Sequence, residues 1–234
     1  MGSSSVGVDA WPEVASEFET VRRLAAGASI ARFGDGEMKI IYGSGYVREP
    51  PNPTLSRELA DTLASTAPGL LIGIPTLDPA GPKYENWLRH EKRFRAILPR
   101  GRAFVSAFIT RPDSAPWIDT LEFLEVLLSC WSGKRATIVC EKDSKLLPVL
   151  RRTAGKLTHL SCPSHGAYAR IGSLALAVCK SKPEVAVLSC GPTATCLARR
   201  LHGRGIQTLD LGSSGGFLAA LLGQPQAKGR DDLL

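Results

Sequence analysis

Two carboxylates stand in a short glycine turn near the start of the chain. Asp35 lies between Gly34 and Gly36, and Glu37 follows, directly behind the apolar run 30–33. Glycine lets the backbone bend sharply, so both carboxylates can converge on one hard cation. Mg²⁺ and Mn²⁺ prefer such oxygen ligands and commonly bridge to substrate phosphates. The pattern therefore predicts a divalent metal site at Asp35 and Glu37.

The same turn has a purely structural alternative. Asp35 would cap a helix over residues 37–42, and Glu37 would lie exposed in its first turn, where the helix dipole favours a carboxylate. Because two acidic residues at this spacing occur often by chance, the turn alone does not decide between a metal site and a helix cap.

A second turn combines groups that suit a phosphate. Gly191 ends an apolar run, Pro192 opens a helical pattern, and Thr193 and Thr195 supply hydroxyls near the helix N-terminus. Free amides and the helix dipole at such an end favour an anion. The alternative is an ordinary connection between a strand and a helix. The P-loop pattern and the dinucleotide pattern GxGxxG after a strand are both absent, which excludes those two nucleotide-binding classes.

Further charged residues follow other apolar runs. Arg111 offers a fork-shaped donor for a pyrophosphate or a carboxylate, with a surface salt bridge to Asp113 as the alternative. Asp210 ends the last apolar run and either faces the same cleft or bonds a neighbouring loop, while Glu141 and Asp143 follow an earlier run. Together these features suit metal-assisted transfer from a phosphorylated donor better than hydride chemistry.

Alternating strand and helix patterns must position these residues. Apolar strand-like runs cover residues 29–33, 70–74, 103–109, 136–140, 157–162, 184–190 and 207–212. Helical spacing of apolar residues covers 11–26, 54–65, 84–98, 114–131, 144–153, 165–180, 192–202 and 216–222. This alternation predicts an α/β fold with a single doubly wound, mostly parallel sheet of about seven strands and helices on both faces. In such a sheet ligands bind beyond the carboxyl ends of the strands, where the candidate residues lie.

The chain as a whole is interpreted as one domain over residues 11–224, with a flexible leader over 1–10 and a frayed tail over 225–234. The leader lacks the basic and apolar regions of a secretory signal. The sequence contains no run of about 18 apolar residues, so no membrane-spanning helix is predicted. The 6 cysteines form no CxxC pair and lie mostly in apolar runs, which predicts reduced, buried thiols in a cytosolic protein.

The charge pattern favours an anionic partner. The net charge is +7, and basic residues crowd between Arg89 and Arg102. We interpret this segment as a solvated helix face and loop; attraction of a phosphate-bearing substrate or an anionic membrane surface is the functional alternative. Nucleic acid is not expected, because aromatic residues are not interleaved with the basic ones.

Five stretches resemble a known family when they are taken in order. The stretches IARFGDGEMKIIYGSG, SAFITRP, WSGKRATIV, CPSHGAYARIGSL and SCGPTATCLARRLHGRGIQTLDLG are similar to segments of the GT-D-type glycosyltransferases. The similarity runs from about Ile30 to Gly212, which is most of the chain. It departs from the family at Ser213, where members often carry histidine, and after residue 140, where EKDSKLLP replaces a glycine- and asparagine-rich stretch. Both departures bear on donor-sugar choice and on activity.

The resemblance implies a Rossmann-like fold and a cytoplasmic enzyme, peripheral at the membrane if the basic segment binds there. Such an enzyme moves a sugar from a nucleotide donor, typically UDP-glucose or a relative, onto a glycan, glycoprotein or lipid-linked acceptor. The resemblance links the acidic triplet to a divalent metal, usually Mn²⁺ with Mg²⁺ as the alternative, and thus makes Asp35 and Glu37 metal ligands and, with Asp210, catalytic residues. It implies nucleotide-sugar binding at Arg32, Gly34, Arg111, Ser164, Gly191, Pro192 and Thr193.

Several alternatives stay open at this point. If the reaction inverts, Asp210, Glu141 or Asp143 is the expected base for the acceptor hydroxyl. A methyltransferase would instead use an acidic residue after the second strand, for which Asp78 is available. A non-catalytic partner domain of the same fold is the third reading. Donor sugar, acceptor, anomeric outcome and oligomeric state are left open.

Overall fold

The computed structural model describes residues 11–223, and its centre is one sheet of eight parallel strands. The strands are β1 (Val14–Ala15), β2 (Ser29–Arg32), β3 (Leu70–Ile74), β4 (Phe104–Ser106), β5 (Arg135–Cys140), β6 (Lys156–Ser161), β7 (Val185–Ser189) and β8 (Gln207–Asp210). Their spatial order is β1-β4-β3-β2-β8-β7-β5-β6. The predicted doubly wound α/β sheet is confirmed.

Helices cover both faces of the sheet. They are α1 (Glu17–Ala25), α2 (Asp35–Ile41), α3 (Pro53–Leu63), α4 (Tyr84–Ile97), α5 (Leu121–Ser129), α6 (Leu146–Thr153), α7 (Ile171–Ser181), α8 (Pro192–His202) and α9 (Gly215–Leu221). One apolar core lies between the sheet and α2, α3, α4, α7 and α8, and the other lies between the sheet and α1, α5, α6 and α9. Because both faces are covered, the strands read as continuous apolar runs.

The first element differs from the sequence prediction. A helix was predicted over residues 11–26, but Val14–Ala15 pairs with β4 as an additional edge strand, and α1 begins only at Glu17. The Ser16 side chain accepts a hydrogen bond from the Glu19 amide and caps the helix there. The sheet therefore has one more strand than predicted, because two residues are too few to give an apolar run.

Three other predicted elements are shorter. The helix predicted over 165–180 begins as a 3₁₀ turn at Ala167–Arg170, and α7 starts only at Ile171. The strand predicted over 103–109 ends at Ser106, because the Ser106 hydroxyl accepts a hydrogen bond from the Phe108 amide at 3.0 Å and turns the chain. The helix predicted over 114–131 is divided into a 3₁₀ turn at Pro116–Ile118 and α5, whose N-terminus is capped by Thr120. The early end of β4 places the residues that follow it in a loop above the sheet edge.

The strand order determines where a site can form. From β2 the chain moves outward through β3 to β4, and from β5 it continues on the other side of β2 until β8 pairs beside it. The helices that follow these two neighbouring strands lie on opposite faces of the sheet, α2 in one core and α9 in the other. In open α/β sheets ligands bind at the carboxyl edge where the connections part in this way, here called the reversal point.

No helix in the part of the chain that the structure describes is long and apolar enough to cross a membrane. The predicted leader 1–10 and tail 225–234 lie outside the described residues.

Candidate active site

Arg32 and Asp210 meet where β2 and β8 end side by side. The Asp210 carboxylate accepts hydrogen bonds from the Arg32 amide at 3.2 Å and from the Thr195 hydroxyl at 3.3 Å. The Arg32 guanidinium lies 3.9 Å from the other carboxylate oxygen. Both side chains are nearly enclosed, with 11% and 6% of their surface exposed. The pair is therefore a desolvated ion pair at the reversal point of the sheet.

The guanidinium of Arg32 also reaches the loop after β4. Its Nη1 donates to the Ala107 carbonyl at 2.9 Å and to the Thr110 hydroxyl at 2.8 Å. Gly212 borders it on the β8 side, where an added Cβ would lie 2.5 Å from Nη2. Arg32 thus connects the ends of β2, β4 and β8, which explains why a glycine is needed two residues after Asp210.

Burial shifts the protonation of this pair. Burial raises the pKa of the Asp210 carboxyl above its usual value, while the charge of Arg32 opposes that shift. Burial also lowers the pKa of Arg32 from its ordinary value, against the effect of Asp210. Each charge compensates the other, since an isolated buried charge would be strongly destabilising.

The acidic turn forms the first turn of α2. Gly34 is the N-cap, and its amide donates to Oε2 of Glu37 at 2.7 Å. The structural alternative is therefore correct in part: α2 is capped, but by Gly34 and Glu37, and Asp35 is its first residue. This bond uses one carboxylate oxygen of Glu37, and none of the described residues is hydrogen-bonded to Oε1.

Negative charge accumulates at this turn. Burial raises the pKa of Glu37 to about 7, the Gly34 hydrogen bond opposes the shift, and the charges of Asp210 and Asp35 add to it. The Asp35 side chain is 51% exposed and pairs with Lys39 at 2.9 Å. The turn thus presents two carboxylates that are only partly compensated by the protein.

Arg111 lies in the loop after β4 and interacts electrostatically with the acidic turn. Its guanidinium makes a forked pair with Asp113, with bonds of 2.9 and 2.8 Å, and Lys83 contacts the same carboxylate. The salt bridge that the sequence offered as the alternative for Arg111 is therefore present. The Asp113 hydrogen bond raises the pKa of Arg111, and the charge of Asp35 adds to this effect. Arg111 and the acidic turn thus act on each other electrostatically.

The N-terminus of α8 is arranged differently from the prediction. Gly191 adopts a positive φ of 58° before Pro192, as the glycine and proline pattern predicts. The Thr193 hydroxyl, however, is fully buried and donates to the carboxylate of Glu49 at 2.7 Å. Glu49 itself is 3% exposed. Thr193 is therefore not brought to an open anion site, because an internal carboxylate already occupies its hydroxyl.

The remaining candidates lie further along the same edge. Ser164 is exposed and contacts the ring of His165 at 3.0 Å. Glu141 pairs with Arg48 at 2.9 Å, and Asp143 is exposed. The structure therefore brings together the residues at the β2 and β8 ends and leaves Ser164, Glu141 and Asp143 outside that cluster.

Sequence reasoning missed the segment between α2 and α3. In this segment, residues 42–52, Tyr46 packs its ring on Gly36, and Glu49 is buried against α8. The glycines and prolines of the segment indicate a loop, but nothing in the sequence shows where that loop lies. The available signal was Glu49, a carboxylate in a proline-rich loop, but the sequence does not indicate that Thr193 and Tyr168 are its hydrogen-bond partners.

The fold and this site define an α/β protein that gathers charged side chains at the carboxyl edge of its sheet. Residues 30–215 match the model of the family described as Glycosyltransferase GT-D fold. The chain belongs to this family, and the predicted resemblance is confirmed. These matches support a glycosyltransferase, and neither the methyltransferase nor the non-catalytic alternative gains support from them.

Two curated relatives carry similar descriptions. A probable glycosyl transferase Gly of Streptococcus gordonii is 29% identical over 203 residues, which cover 81% of this chain and 30% of the relative. The glycosyltransferase GlyD of Streptococcus pneumoniae serotype 4 is 25% identical over 199 residues, which cover 79% of this chain and 24% of the relative. The chain thus spans less than a third of the length of these relatives.

Solved structures share the fold. A domain of unknown function 1792, described as having a distinct glycosyltransferase fold, superposes with a TM-score of 0.79 at 24% identity and covers 91% of this chain and 83% of its own. A structure described as a new glycosyltransferase from Streptococcus sanguinis gives 0.78 at 24% identity, with 92% and 86% covered. At this level of identity the match establishes the fold.

Proposed function

We propose that this protein is a metal-dependent glycosyltransferase that moves a sugar from a UDP-sugar, of the UDP-glucose kind, to a glycan, glycoprotein or lipid-linked acceptor. One observation carries the proposal. The acidic turn follows β2 and Arg111 follows β4 at the same carboxyl edge of a glycosyltransferase-family sheet, and the charge of Asp35 acts on Arg111.

The acidic turn fits a hard divalent cation. Burial is the main cause of the raised pKa of Glu37, and the charge of Asp35 adds a minor part that a cation between the two carboxylates would relieve. Among the described residues no group of three or more His, Cys, Asp or Glu is arranged to hold a metal. Two carboxylates are enough for Mn²⁺ or Mg²⁺, since these ions complete their coordination with water and substrate phosphates. Asp35 and Glu37 would hold the ion.

The chain's own residues would then handle the donor. When bound, the cation supplies Lewis-acid stabilisation of charge on the departing diphosphate. Arg111 would bind the same diphosphate through its fork, after exchanging part of its pairing with Asp113. Such a preorganised donor is worth a few kcal/mol in the transition state. Arg32 would add positive charge behind the acidic turn without contacting solvent.

Asp210 would position Arg32 and would not deprotonate the acceptor. Its carboxylate is 6% exposed and already accepts bonds from the Arg32 amide and the Thr195 hydroxyl. A general base must lie within hydrogen-bond reach of the proton it removes. This enclosure argues against the role that the sequence suggested for Asp210, and Glu141 and Asp143 are then the remaining candidates if the reaction inverts.

The direct test combines nucleotide-sugar turnover with binding. A panel of UDP-sugars is incubated with Mn²⁺, and release of UDP is measured for the wild type, Asp35→Asn and Glu37→Gln. Removing either ligand should reduce turnover at least about a hundredfold, and calorimetry should show loss of metal-dependent UDP binding.

A matched control is available in α1. Glu19 also lies in the first turn of a helix and also pairs with a basic residue four positions on, Arg23, at 2.8 Å. Glu19→Gln should leave turnover and UDP binding unchanged. Wild-type rates in both Asp35→Asn and Glu37→Gln would contradict the metal assignment.

A further inference from the structure

The segment between α2 and α3, here called the crossing loop (residues 42–52), extends over the carboxyl ends of the strands in the second half of the sheet. The Gly166 amide donates to the Arg48 carbonyl at 2.9 Å, which fixes the loop to the connection between β6 and α7. The Arg48 side chain pairs with Glu141 after β5 at 2.9 Å. The crossing loop therefore joins the acidic-turn half of the site to the other half.

Glu49 is the buried contact of this loop. Its Oε1 accepts one hydrogen bond from the Thr193 hydroxyl at 2.7 Å and another from the Tyr168 amide at 3.1 Å. Only 3% of the residue is exposed. A carboxylate beside the first turn of α8 is favoured by the free amides and dipole of the helix. Glu49 thus takes the Thr193 hydroxyl that the sequence assigned to a phosphate site.

The same loop reaches the acidic turn through Tyr46. The Tyr46 amide donates to the Glu49 carbonyl at 3.1 Å, and the Glu49 amide donates to the Tyr46 carbonyl at 3.0 Å. Two backbone hydrogen bonds therefore join these residues directly. The Tyr46 ring packs on Gly36, where an added Cβ would lie 3.2 Å from the ring. Gly36 separates Asp35 from Glu37. A continuous series of contacts therefore runs from α8 through Glu49 and Tyr46 to the acidic turn.

We propose that Glu49 is a positioning residue that clamps the crossing loop onto α8 and thereby holds Tyr46 against the acidic turn. The inference rests on the proposed function, because the turn is the suggested binding place of the metal and donor. Both bonds end on one oxygen, so the clamp needs an acceptor and not a negative charge. A glutamine places a carbonyl oxygen in the same position.

The test compares Glu49→Ala with Glu49→Gln. Amide hydrogen exchange of residues 46, 166 and 168 measures the clamp without any need for activity. Loss of both bonds should speed exchange at these amides about tenfold or more in Glu49→Ala, while Glu49→Gln should stay within about threefold of the wild type. The apparent KM for the UDP-sugar should rise about tenfold in Glu49→Ala, with a smaller change in kcat, and Glu49→Gln should restore it.

Two further variants control the result. Thr193→Val removes one of the two bonds and serves if Glu49→Ala does not fold; it should speed exchange by a smaller factor than Glu49→Ala. Arg48→Ala breaks only the exposed ion pair of the same loop and should change exchange less than about threefold.

Each outcome decides the proposal. Wild-type exchange in Glu49→Ala, or Glu49→Gln as fast as Glu49→Ala, overturns the hydrogen-bonded clamp. If the wild type releases no UDP from any sugar, the proposed function fails, whereas the exchange measurements still decide whether Glu49 clamps the loop.

Discussion

Two helices begin at the same edge of the sheet, and the polar groups of their first turns are paired in opposite ways. In α2, the Gly34 amide is bonded by Glu37, three residues along the same helix. In α8, the Thr193 hydroxyl is bonded by Glu49, which is 144 residues away in the chain. The first arrangement leaves Asp35 half exposed, whereas the second encloses both partners.

The difference separates two functions that the sequence did not distinguish. Both turns contain glycine and polar groups at the end of a buried strand, and both were expected to bind the donor. The local cap leaves Asp35 half exposed at the strand ends, where the proposed cation and donor phosphates would bind. The long-range pair encloses the Thr193 hydroxyl within the protein, which is consistent with the proposed role of Glu49 in holding the crossing loop.

The largest effect should follow from a change at the α8 turn. Gly191 has φ 58° and ψ −149°, a backbone conformation that only glycine adopts readily. Gly191→Ala should therefore lower the free energy of unfolding by about 1–3 kcal/mol, as measured by chemical denaturation.

Gly172 in α7 is the matched control, because an added Cβ there meets no atom within 4 Å. Gly172→Ala should raise the free energy of unfolding by up to about 1 kcal/mol, since alanine favours a helix. Equal stability of Gly191→Ala and the wild type would show that the α8 turn is not constrained as described.

The acidic turn should instead show a pH dependence. The folded-state pKa of Glu37 is raised from its ordinary value of 4.5 to about 7, mainly by burial. Below pH 4.5 the residue is protonated in both states, and above about pH 7 it is ionised in both. Between these values the folded state binds more protons, so the free energy of unfolding should fall as the pH rises.

Comparison with Glu37→Gln isolates this contribution. The difference in the free energy of unfolding between wild type and variant, measured without metal, should decrease from about pH 4.5 to about pH 7 and be level outside that range. Asp210 is present in both proteins, so it contributes to the difference only through its coupling with Glu37. A difference that stays constant across this range would contradict the burial of Glu37.

The smallest effect should come from Lys39. Its ion pair with Asp35 joins two side chains that are 47% and 51% exposed. Lys39→Ala should therefore change the free energy of unfolding by less than about 0.5 kcal/mol. A loss above about 1 kcal/mol in thermal denaturation would mean that Asp35 is held more firmly than the comparison assumes.

The same contrast explains what the sequence was able to predict. The seven apolar runs all correspond to strands. In the inner strands such as β5 and β7, burial on both faces leaves a continuous apolar signal, whereas the edge strand β6 is only partly buried. Local pairs were also foreseen: Arg111 with Asp113, and a cap in the acidic turn. Contacts between distant residues were not. Arg32 and Asp210 were both selected, but their pairing spans 178 residues and has no local pattern.

The crossing loop shows most clearly which contacts the sequence could not predict. Glu49 was not selected, since its partners Thr193 and Tyr168 become neighbours only after the sheet has formed. Edge strand β1 was missed for a related reason, because its two residues are defined by pairing with β4 and not by their own composition. Sequence patterns therefore predicted the elements and the local pairs within single turns, whereas contacts between distant turns required the structure.

The junction between β2 and β8 has a consequence for the architecture of the chain. The four strands on one side of it, β1 to β4, come from the first part of the sequence, and the four on the other side, β5 to β8, come from the second. Each part is continuous, and the ladder at the junction pairs Ile30 with Leu209. The protein is thus suited to fragment complementation. A break between α5 and β5 would divide it into two pieces that would associate along the β2–β8 boundary. Arg32 and Asp210 would then form their ion pair only in the reassembled molecule.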